Sequence, residues 1–349
     1  MKMDVKDKGV LAALGFDDHG EGSWRVLRRR GHILLLVPDC ASLVRRGLQL
    51  YRPQRLPARL FVGAVSRVPF GRLLLKRIKG SISNESAIQT VLETTEATLV
   101  CILLGNPSQK ERRIILLAEN GTGHHFIIKL GWDVLAVEKI SRERKFLEMN
   151  AGRNSVIPSL TRVWREEQWE AFAIPYFDAP GDVPVEKICE VLKSWCFDSP
   201  AVQLSNLDEW MEVVSRISDV KERKYLIDRS VGLRIKKSLS HRDFAPWNVL
   251  SSKNGDMSVI DWEFGREEGI PGWDLVHYLF LSAHLVDRLS ASEAIIRVVD
   301  LLESKAECVE LVKYWGWAGN VHLLVKSYFY SMSEQMEDSA ELAKAVHAA

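Results

Sequence analysis

The sequence contains no hydrophobic run long enough to cross a lipid bilayer. Its best apolar stretches, residues 32–38 and 98–105, have the length of a strand, whereas a membrane-spanning helix needs about 20 predominantly apolar residues. Residues 1–9 alternate lysine with aspartate, and no apolar stretch of the signal-peptide type follows them. We therefore expect a cytoplasmic protein that neither spans a membrane nor carries a secretory signal.

Closely spaced cysteines and internal repeats are also absent. The five cysteines include no Cys-x-x-Cys pair, so their spacing does not indicate a zinc site or a dithiol redox site. The chain has 349 residues, of which 46% are hydrophobic and 27% are charged. This composition is typical of a folded protein, and the length predicts two or three structural parts.

Positive charge is concentrated near the start of the chain. Residues 21–80 contain fourteen lysines and arginines against two acids, a net charge of +12, although the whole chain carries only +1. The remainder is therefore acidic, with a net charge of −11. This change in charge predicts a boundary near residue 85, and we interpret residues 1–88 as a basic N-terminal extension.

Apolar and basic residues are interleaved over residues 60–79 of this extension. Such a pattern is typical of an amphipathic segment on an anionic membrane, where each lysine or arginine contributes roughly 1 kcal/mol. Residues 21–80 are thus a candidate peripheral contact with the inner face of a membrane. Packing of this segment on the acidic remainder of the chain is an equally good interpretation. Nucleic acid is a weaker alternative, because aromatic residues for base stacking are sparse here.

The rest of the chain divides into a strand-rich part and a helix-rich part. An antiparallel meander is predicted over residues 96–104, 112–118 and 124–130, and a strand pair over 160–164 and 170–176. A helix is predicted at 134–150, because this stretch lacks glycine and proline and has residues of one face spaced by three and four. The later predicted helices are at 185–195, 207–217, 274–285, 291–303 and 309–330.

These elements predict an α+β fold with two lobes. The smaller N-lobe, residues 89–178, would be built on an antiparallel sheet. The larger C-lobe, residues 179–349, would be mostly helical.

A β-hairpin is predicted within residues 238–265. Asn254 and Gly255 both tolerate a positive φ, so they predict a two-residue turn between strands at 248–252 and 257–261. A turn of that length fixes which residues of the two strands face each other.

The predicted register brings Asn248 opposite Asp261 at the open end of the hairpin. Side chains opposed in this way have Cβ atoms roughly 4.5–5.5 Å apart, and an amide oxygen with a carboxylate suits Mg²⁺. Asp243 lies five residues before Asn248 and can project over the same end. It would be free to accept a proton from a substrate hydroxyl, as a general base.

The same residues carry a resemblance to a known family. His-Arg-Asp-Phe-Ala-Pro-Trp-Asn at 241–248, followed by Ile-Asp-Trp-Glu at 260–263, resembles the catalytic and metal-binding motifs of the aminoglycoside phosphotransferase and choline kinase superfamily. The resemblance implies a bilobal, protein-kinase-like fold that uses ATP and Mg²⁺. It assigns the catalytic base to Asp243 and the metal ligands to Asn248 and Asp261. The implied acceptor is a hydroxyl of a sugar, an amino alcohol or an aminoglycoside-like molecule.

A weaker resemblance extends over residues 90–335. It matches Lys129 to the family's phosphate-binding lysine and Glu143 to the helix glutamate that pairs with it, which explains a carboxylate on an apolar helix face. An unpaired buried acid would be costly. The resemblance also implies a set of nucleotide contacts: Gly105 and Ser108 in the loop over the phosphates, and Pro175, Tyr176 and Phe177 in the hinge that binds adenine.

Two departures from the family pattern keep alternatives open. Arg242 occupies a position that is often glycine in small-molecule members, and His-Arg-Asp is the form found in protein kinases. However, only twelve residues separate Asp261 from Asp274, which leaves no room for a long activation loop. The family's glycine-rich phosphate loop is degenerate at residues 105–108, which favours a catalytically weak nucleotide-binding regulator.

Two further residues near the catalytic motif have structural interpretations. We expect Asp274 to cap its helix, with or without a role in bracing the catalytic loop, and His241 to be structural.

Overall fold

The computed structural model describes residues 9, 11–12, 15–17, 19–29, 31–51, 56–67, 71–105, 112–178, 183–252, 254–333, 336 and 338–346. The chain forms two compact units. One comprises Met1–Ala151 with Pro158–Phe177, and the other comprises Gly152–Ile157 with Asp178–Ala349. The first unit is built on an antiparallel sheet and the second is mostly helical, so the predicted α+β class is confirmed.

The first unit contains an eight-stranded antiparallel sheet in the order β4-β2-β3-β6-β7-β8-β10-β9, with β1 and β5 paired separately. The strands are β1 (Phe16–Asp17), β2 (Ser23–Arg29), β3 (His32–Pro38), β4 (Lys76–Lys79), β5 (Ser81–Ile82), β6 (Ala97–Leu104), β7 (Ile114–Asn120), β8 (His125–Gly131), β9 (Arg162–Arg165) and β10 (Glu170–Pro175). The predicted meander and the later strand pair are thus confirmed. The predicted boundary at residue 88 falls inside this sheet, because β3 pairs with β6.

Helices cover both faces of the sheet. They are α1 (Ala41–Leu50), α2 (Leu56–Arg67), α3 (Ala87–Thr94) and α4 (Val134–Asn150). Ile128 and Leu130 of β8 join a core that includes Ile88 and Val91 of α3. Side chains alternate between the faces of a strand, so Lys129 lies on the other face, where α4 packs against β8.

The second unit consists mainly of helices with short strand pairs. Its helices are α5 (Val185–Ser194), α6 (Asp208–Arg216), α7 (Val220–Ser230), α8 (Trp273–Leu281), α9 (Ala291–Ser304), α10 (Ala306–Trp315), α11 (Val321–Ser331) and α12 (Ser339–Ala345). Its strands are β11 (Val202–Gln203), β12 (Arg234–Ile235), β13 (Ser238–Ser240), β14 (Val249–Ser251), β15 (Met257–Val259) and β16 (Arg266–Gly269). No predicted helix corresponds to α7.

The single helix predicted over residues 309–330 is wrong, because Gly316 divides it into α10 and α11. Gly316 has φ 101°, a left-handed conformation that glycine adopts without steric cost. Its amide donates to the carbonyl of Lys313, and the amide of Trp317 donates to the carbonyl of Val312. This pair of bonds is a Schellman motif, which ends a helix.

No helix within the described ranges is both long enough and apolar enough to cross a membrane.

Candidate active site

The predicted catalytic loop, residues 241–248, connects β13 to β14 and is held by a carboxylate of α8. Asp274 accepts hydrogen bonds from the backbone amides of His241 and Arg242, each at 2.8 Å. The predicted brace is therefore confirmed. The predicted helix cap is wrong, because α8 begins at Trp273 with Gly272 as its capping residue, and Asp274 turns its side chain to the loop.

His241, the first residue of this loop, is fully buried. Its Nδ1 lies 3.2 Å from the amide nitrogen of Asp243, which donates to it. Its Nε2 lies 2.8 Å from the carbonyl oxygen of Ile260 and must therefore carry the hydrogen. His241 thus links the catalytic loop to the end of β15, and its predicted structural role is confirmed.

Asp243 is contacted on both oxygens but remains accessible. Asn248 Nδ2 donates to the Asp243 carbonyl at 2.9 Å and to Oδ2 at 3.1 Å. His277 Nε2 lies 3.3 Å from Oδ1, outside hydrogen-bond geometry. The Asp243 side chain is 32% exposed, so the carboxylate can meet a hydroxyl from solvent or substrate.

Arg242 is strained, and its side chain is paired with a buried acid. Its φ of 64° is left-handed, which costs roughly 1–2 kcal/mol for a residue with a Cβ. Glycine, which is often found at this position in the superfamily that the motif resembles, adopts this conformation without that cost. Arg242 Nε lies 3.1 Å from Oε1 of Glu209, and Glu209 Oε2 accepts from the amide of Ile270 at 2.8 Å.

Glu209 is a residue that the sequence reasoning missed. Burial raises its pKa, although the positive charges of Arg242 and Arg266 and the bond from the Ile270 amide oppose the shift. A signal was present: Glu209 shares the buried face of α6 with Trp210 and Val213. The same pattern, an acid on an apolar helix face, predicts a buried partner for Glu143.

The hairpin exists, but its predicted register is wrong by one residue. Val249 pairs with Val259 and Ser251 with Met257, and the Asn248 carbonyl accepts from the Ile260 amide at 2.9 Å. Ser252 therefore lies opposite Asp256, to whose carbonyl its amide donates, and three residues separate the two in place of two. Gly255 takes up the positive φ, 87°, as expected of the last residue in a three-residue loop.

Asp261 consequently does not sit directly opposite Asn248. It adopts a left-handed conformation, with φ 68° and ψ 53°, and a 3₁₀ turn at Trp262–Phe264 follows it. The chain therefore leaves the extended path at Asp261, and strand alternation no longer fixes the direction of its side chain.

The chemistry of Asn248 and Asp261 fits Mg²⁺. Asn248 uses its Nδ2 to hold Asp243, which leaves Oδ1 as the atom that could bind a cation. Together with a carboxylate this gives two oxygen ligands of the type that Mg²⁺ prefers, with other positions left to water and phosphate. In the ranges that the structure describes, no cluster of three or more histidine, cysteine or acidic side chains forms a fuller metal site.

In the first unit, Lys129 and Glu143 form a buried ion pair. Lys129 Nζ lies 2.6 Å from Glu143 Oε1, and the two residues are 2% and 1% exposed. The predicted pair is confirmed. Arg113 Nη1 lies 3.5 Å from the other carboxylate oxygen, so two cations share the Glu143 charge.

The remaining predicted nucleotide contacts are described only in part. Gly105 follows β6, and its amide donates to the Arg113 carbonyl at 3.0 Å. Ser108 lies outside the described residues. Pro175 ends β10 and Phe177 is half-buried, while the Tyr176 amide donates to the carbonyl of His125 at 3.1 Å. That amide would have to exchange partners to bind adenine.

No protein-family model matches the sequence, and no curated protein matches it. The structure does match solved structures. A choline kinase from Streptococcus pneumoniae is 12% identical, with 75% of this chain and 97% of that chain covered and a TM-score of 0.45. A macrolide 2'-phosphotransferase from Brachybacterium faecium is 14% identical, with 74% and 96% covered and a TM-score of 0.47. An ethanolamine kinase from Plasmodium vivax is 9% identical, with 89% and 94% covered and a TM-score of 0.43. These three solved structures are of small-molecule kinases and phosphotransferases.

Proposed function

We propose that this protein is an ATP-dependent, Mg²⁺-requiring phosphotransferase that moves the γ-phosphate to a hydroxyl of a small molecule. The acceptor class would be a sugar, an amino alcohol or an aminoglycoside-like compound. One observation carries the proposal: Asp243 is held by Asn248 and by a loop braced on Asp274, yet a third of its side chain is exposed. A fixed and accessible carboxylate is what a general base requires.

In this mechanism Asp243 accepts the proton of the acceptor hydroxyl. The hydroxyl oxygen then bonds to the γ-phosphorus, the bond to the β–γ bridging oxygen breaks, and ADP leaves. Asn248 and Asp261 would hold Mg²⁺, which neutralises charge on the phosphates. General-base assistance contributes roughly 10² to 10⁴ in rate, and positioning with charge neutralisation supplies the rest.

The nucleotide would be bound by the first unit. Lys129, oriented by Glu143, would donate to a phosphate oxygen with its remaining ammonium hydrogens. The proposed contacts of the phosphates and adenine are Gly105, Ser108, Pro175, Tyr176 and Phe177.

The two alternative functions receive less support. A protein kinase needs a long activation segment, but residues 262–272 are taken up by a 3₁₀ turn and by β16. A catalytically weak regulator would not need the general base, whereas Asp243 is accessible and its loop is tied down by Asp274 and Asn248.

The test is ATP turnover by the purified full chain against a panel of sugars, amino alcohols and aminoglycosides, with Mg²⁺ or with EDTA. We expect Mg²⁺-dependent ADP release, with a phosphorylated acceptor found by mass spectrometry. Nucleotide binding without turnover on any acceptor would favour the regulator.

Peripheral contact with an anionic membrane is a second candidate property. Leu60, Phe61, Leu73 and Leu74 are exposed large apolar residues. They belong to α2 and to a 3₁₀ turn that contacts α2, and the turn lies just before the basic strand β4. Part of the positive charge is engaged within the unit, because Arg25, Arg72 and Arg77 all approach Asp39, at 2.8–3.8 Å. The remaining exposed cations and the apolar residues would meet lipid.

Point variants test this contact better than truncation, which would remove three strands of the sheet. Leu73→Ser combined with Leu74→Ser should reduce co-sedimentation with anionic vesicles at low salt. The matched control changes Val134 and Leu135, an exposed apolar pair elsewhere in the same unit, to serine. Equal binding of both double variants to anionic and neutral vesicles would refute a specific contact.

A further inference from the structure

A buried histidine and a buried tyrosine lie behind the catalytic loop. His277 of α8 is 4% exposed and Tyr328 of α11 is 1% exposed. His277 Nδ1 lies 2.9 Å from the Tyr328 hydroxyl, and His277 Nε2 lies 3.3 Å from Asp243 Oδ1. The mechanism described above uses neither residue, although one of them reaches the proposed base.

The position of Asp243 favours one tautomer of His277, because an Nε2 without hydrogen would place its lone pair 3.3 Å from a carboxylate oxygen. Burial raises the pKa of the Tyr328 hydroxyl well above its usual value, and the negative charges of Asp243 and Asp274 raise it further. The hydroxyl therefore keeps its hydrogen and can donate it to His277 Nδ1. A neutral imidazole that accepts at Nδ1 carries its own hydrogen at Nε2, the nitrogen that faces Asp243.

A small cavity lies beside the imidazole. About 10 Å³ is open to the centre of a water-sized sphere, and the lining includes Ser240, His277 and Tyr328. Ser240 Oγ and His277 Nε2 are both buried without a hydrogen-bond partner among the residues described. The imidazole thus borders free space, and catalytic hydrogen bonds often reach good geometry only when substrate binds.

We propose that Tyr328 and His277 are positioning residues that orient the Asp243 carboxylate through two successive hydrogen bonds. Tyr328 donates to His277 Nδ1, and His277 Nε2–H donates to Asp243 Oδ1. Asn248 holds the other oxygen, Oδ2, so the carboxylate is fixed from two sides. Each carboxylate oxygen keeps a lone pair that can take the proton of the substrate hydroxyl. This inference rests on the proposed function for its role, but its geometry can be tested separately.

The geometric test is nitrogen NMR of the full chain labelled with ¹⁵N-histidine, at neutral pH and without ligands. The His277 signals are assigned by their loss in His277→Gln. We expect the Nε2–H form in the unmodified protein and a shift toward mixed tautomers in Tyr328→Phe. Tyr330→Phe is the matched control. Tyr330 lies on the same helix as Tyr328, but its hydroxyl donates to Glu222 of α7 and not to His277. An Nδ1–H form, an imidazole with both nitrogens protonated, or a Tyr328→Phe spectrum like that of the control would overturn the proposal.

The functional test is turnover of Mg·ATP with the acceptor found in the panel, or with water as acceptor. Tyr328→Phe and His277→Leu should each lower kcat about 10- to 100-fold with an unchanged KM for ATP, since a misplaced catalytic group costs rates of this order. His277→Gln should recover part of the loss, because its amide can donate near the position of Nε2. The double variant His277→Leu with Tyr328→Phe should be no slower than His277→Leu, because Tyr328 acts through His277.

The outcomes separate this inference from the proposed function. Losses that multiply in the double variant, or a KM that changes with kcat, would indicate a general structural role and refute positioning. If the NMR result is as expected but Mg·ATP is not turned over at all, the proposed function fails and so does the positioning role. If turnover is observed and the tautomer is the other one, only this inference fails.

Discussion

Asn248 donates to two oxygens of Asp243, the main-chain carbonyl at 2.9 Å and the carboxylate at 3.1 Å. The residue proposed to bind the metal therefore also holds the proposed base. A cation on Asn248 Oδ1 would polarise the amide and strengthen the bond from Nδ2. Metal binding and placement of the base are thus connected through one side chain.

Asp243→Asn should lower turnover by roughly 10² or more and leave ATP affinity nearly unchanged, because the amide cannot accept the acceptor's proton. Steady-state kinetics and nucleotide titration measure the two effects. Asp256→Asn is the matched control, since Asp256 is an exposed aspartate directly after the turn of the nearby hairpin. A variant that keeps most of its activity would exclude Asp243 as the base.

Asn248→Ala and Asp261→Ala should each weaken Mg²⁺-dependent nucleotide binding, and the double variant should lose less than the two single losses combined. Ligands that act on one ion are not independent. Calorimetric titration with ATP in Mg²⁺, repeated in EDTA as the control, measures the coupling. Strict additivity would argue against a shared ion.

Lys129→Ala should raise the KM for ATP, because a phosphate ligand is lost, and should also destabilise the fold. Removal of one partner of a buried pair leaves an uncompensated charge and typically costs about 3–5 kcal/mol. Because Arg113 lies 3.5 Å from the Glu143 carboxylate and remains in the variant, the loss of stability should be near the lower end of that range. Adding Glu143→Gln should restore stability without restoring the KM. Denaturant unfolding and kinetics on the same samples separate the two effects.

Glu209 should make stability depend on pH in the opposite direction to its neighbour Glu212. Burial raises the folded-state pKa of Glu209, so the folded state binds this proton more tightly than the unfolded state does. Its contribution is then present below the usual glutamate pKa of about 4.3 and falls as pH rises through the folded pKa.

A hydrogen bond from Arg266 lowers the pKa of Glu212, so its contribution is lost as pH falls. We expect the free energy of unfolding of the unmodified protein, relative to Glu209→Gln, to decline with rising pH above about 4.3. Relative to Glu212→Gln it should decline with falling pH below that value. The same sign for both differences would contradict the burial argument.

The sequence predicted features that local patterns control. The helix at 134–150 has the predicted bounds, because its stretch lacks helix breakers and Asp133 caps it through the Ala136 amide. The ion pair of Lys129 with Glu143 was predictable, because an acid on an apolar helix face requires a partner. The spacing of Asp243 and Asn248 likewise predicted that their side chains lie at the same end of the hairpin, where they form a hydrogen bond.

Features that depend on distant partners or on small differences in backbone energy were not predictable. Asn254 and Gly255 suit both a two-residue and a three-residue loop, so the dipeptide alone could not fix the hairpin register. Strand β3 is buried because it pairs with β6, more than sixty residues further along the chain. The sequence predicts His277 only as a residue of a helix, whereas in the folded chain its Nε2 lies 3.3 Å from Asp243 Oδ1.

The eight-stranded sheet ends in β4 on one side and β9 on the other, as far as the described residues go. Both end strands are rich in lysine and arginine: Lys76, Arg77 and Lys79 in β4, and Arg162 and Arg165 in β9. The unpaired edge of a sheet can recruit a strand from another molecule, and edge cations oppose such pairing by mutual repulsion. Some of the positive charge near the start of the chain therefore protects the protein against self-association, independently of any ligand or surface that it binds.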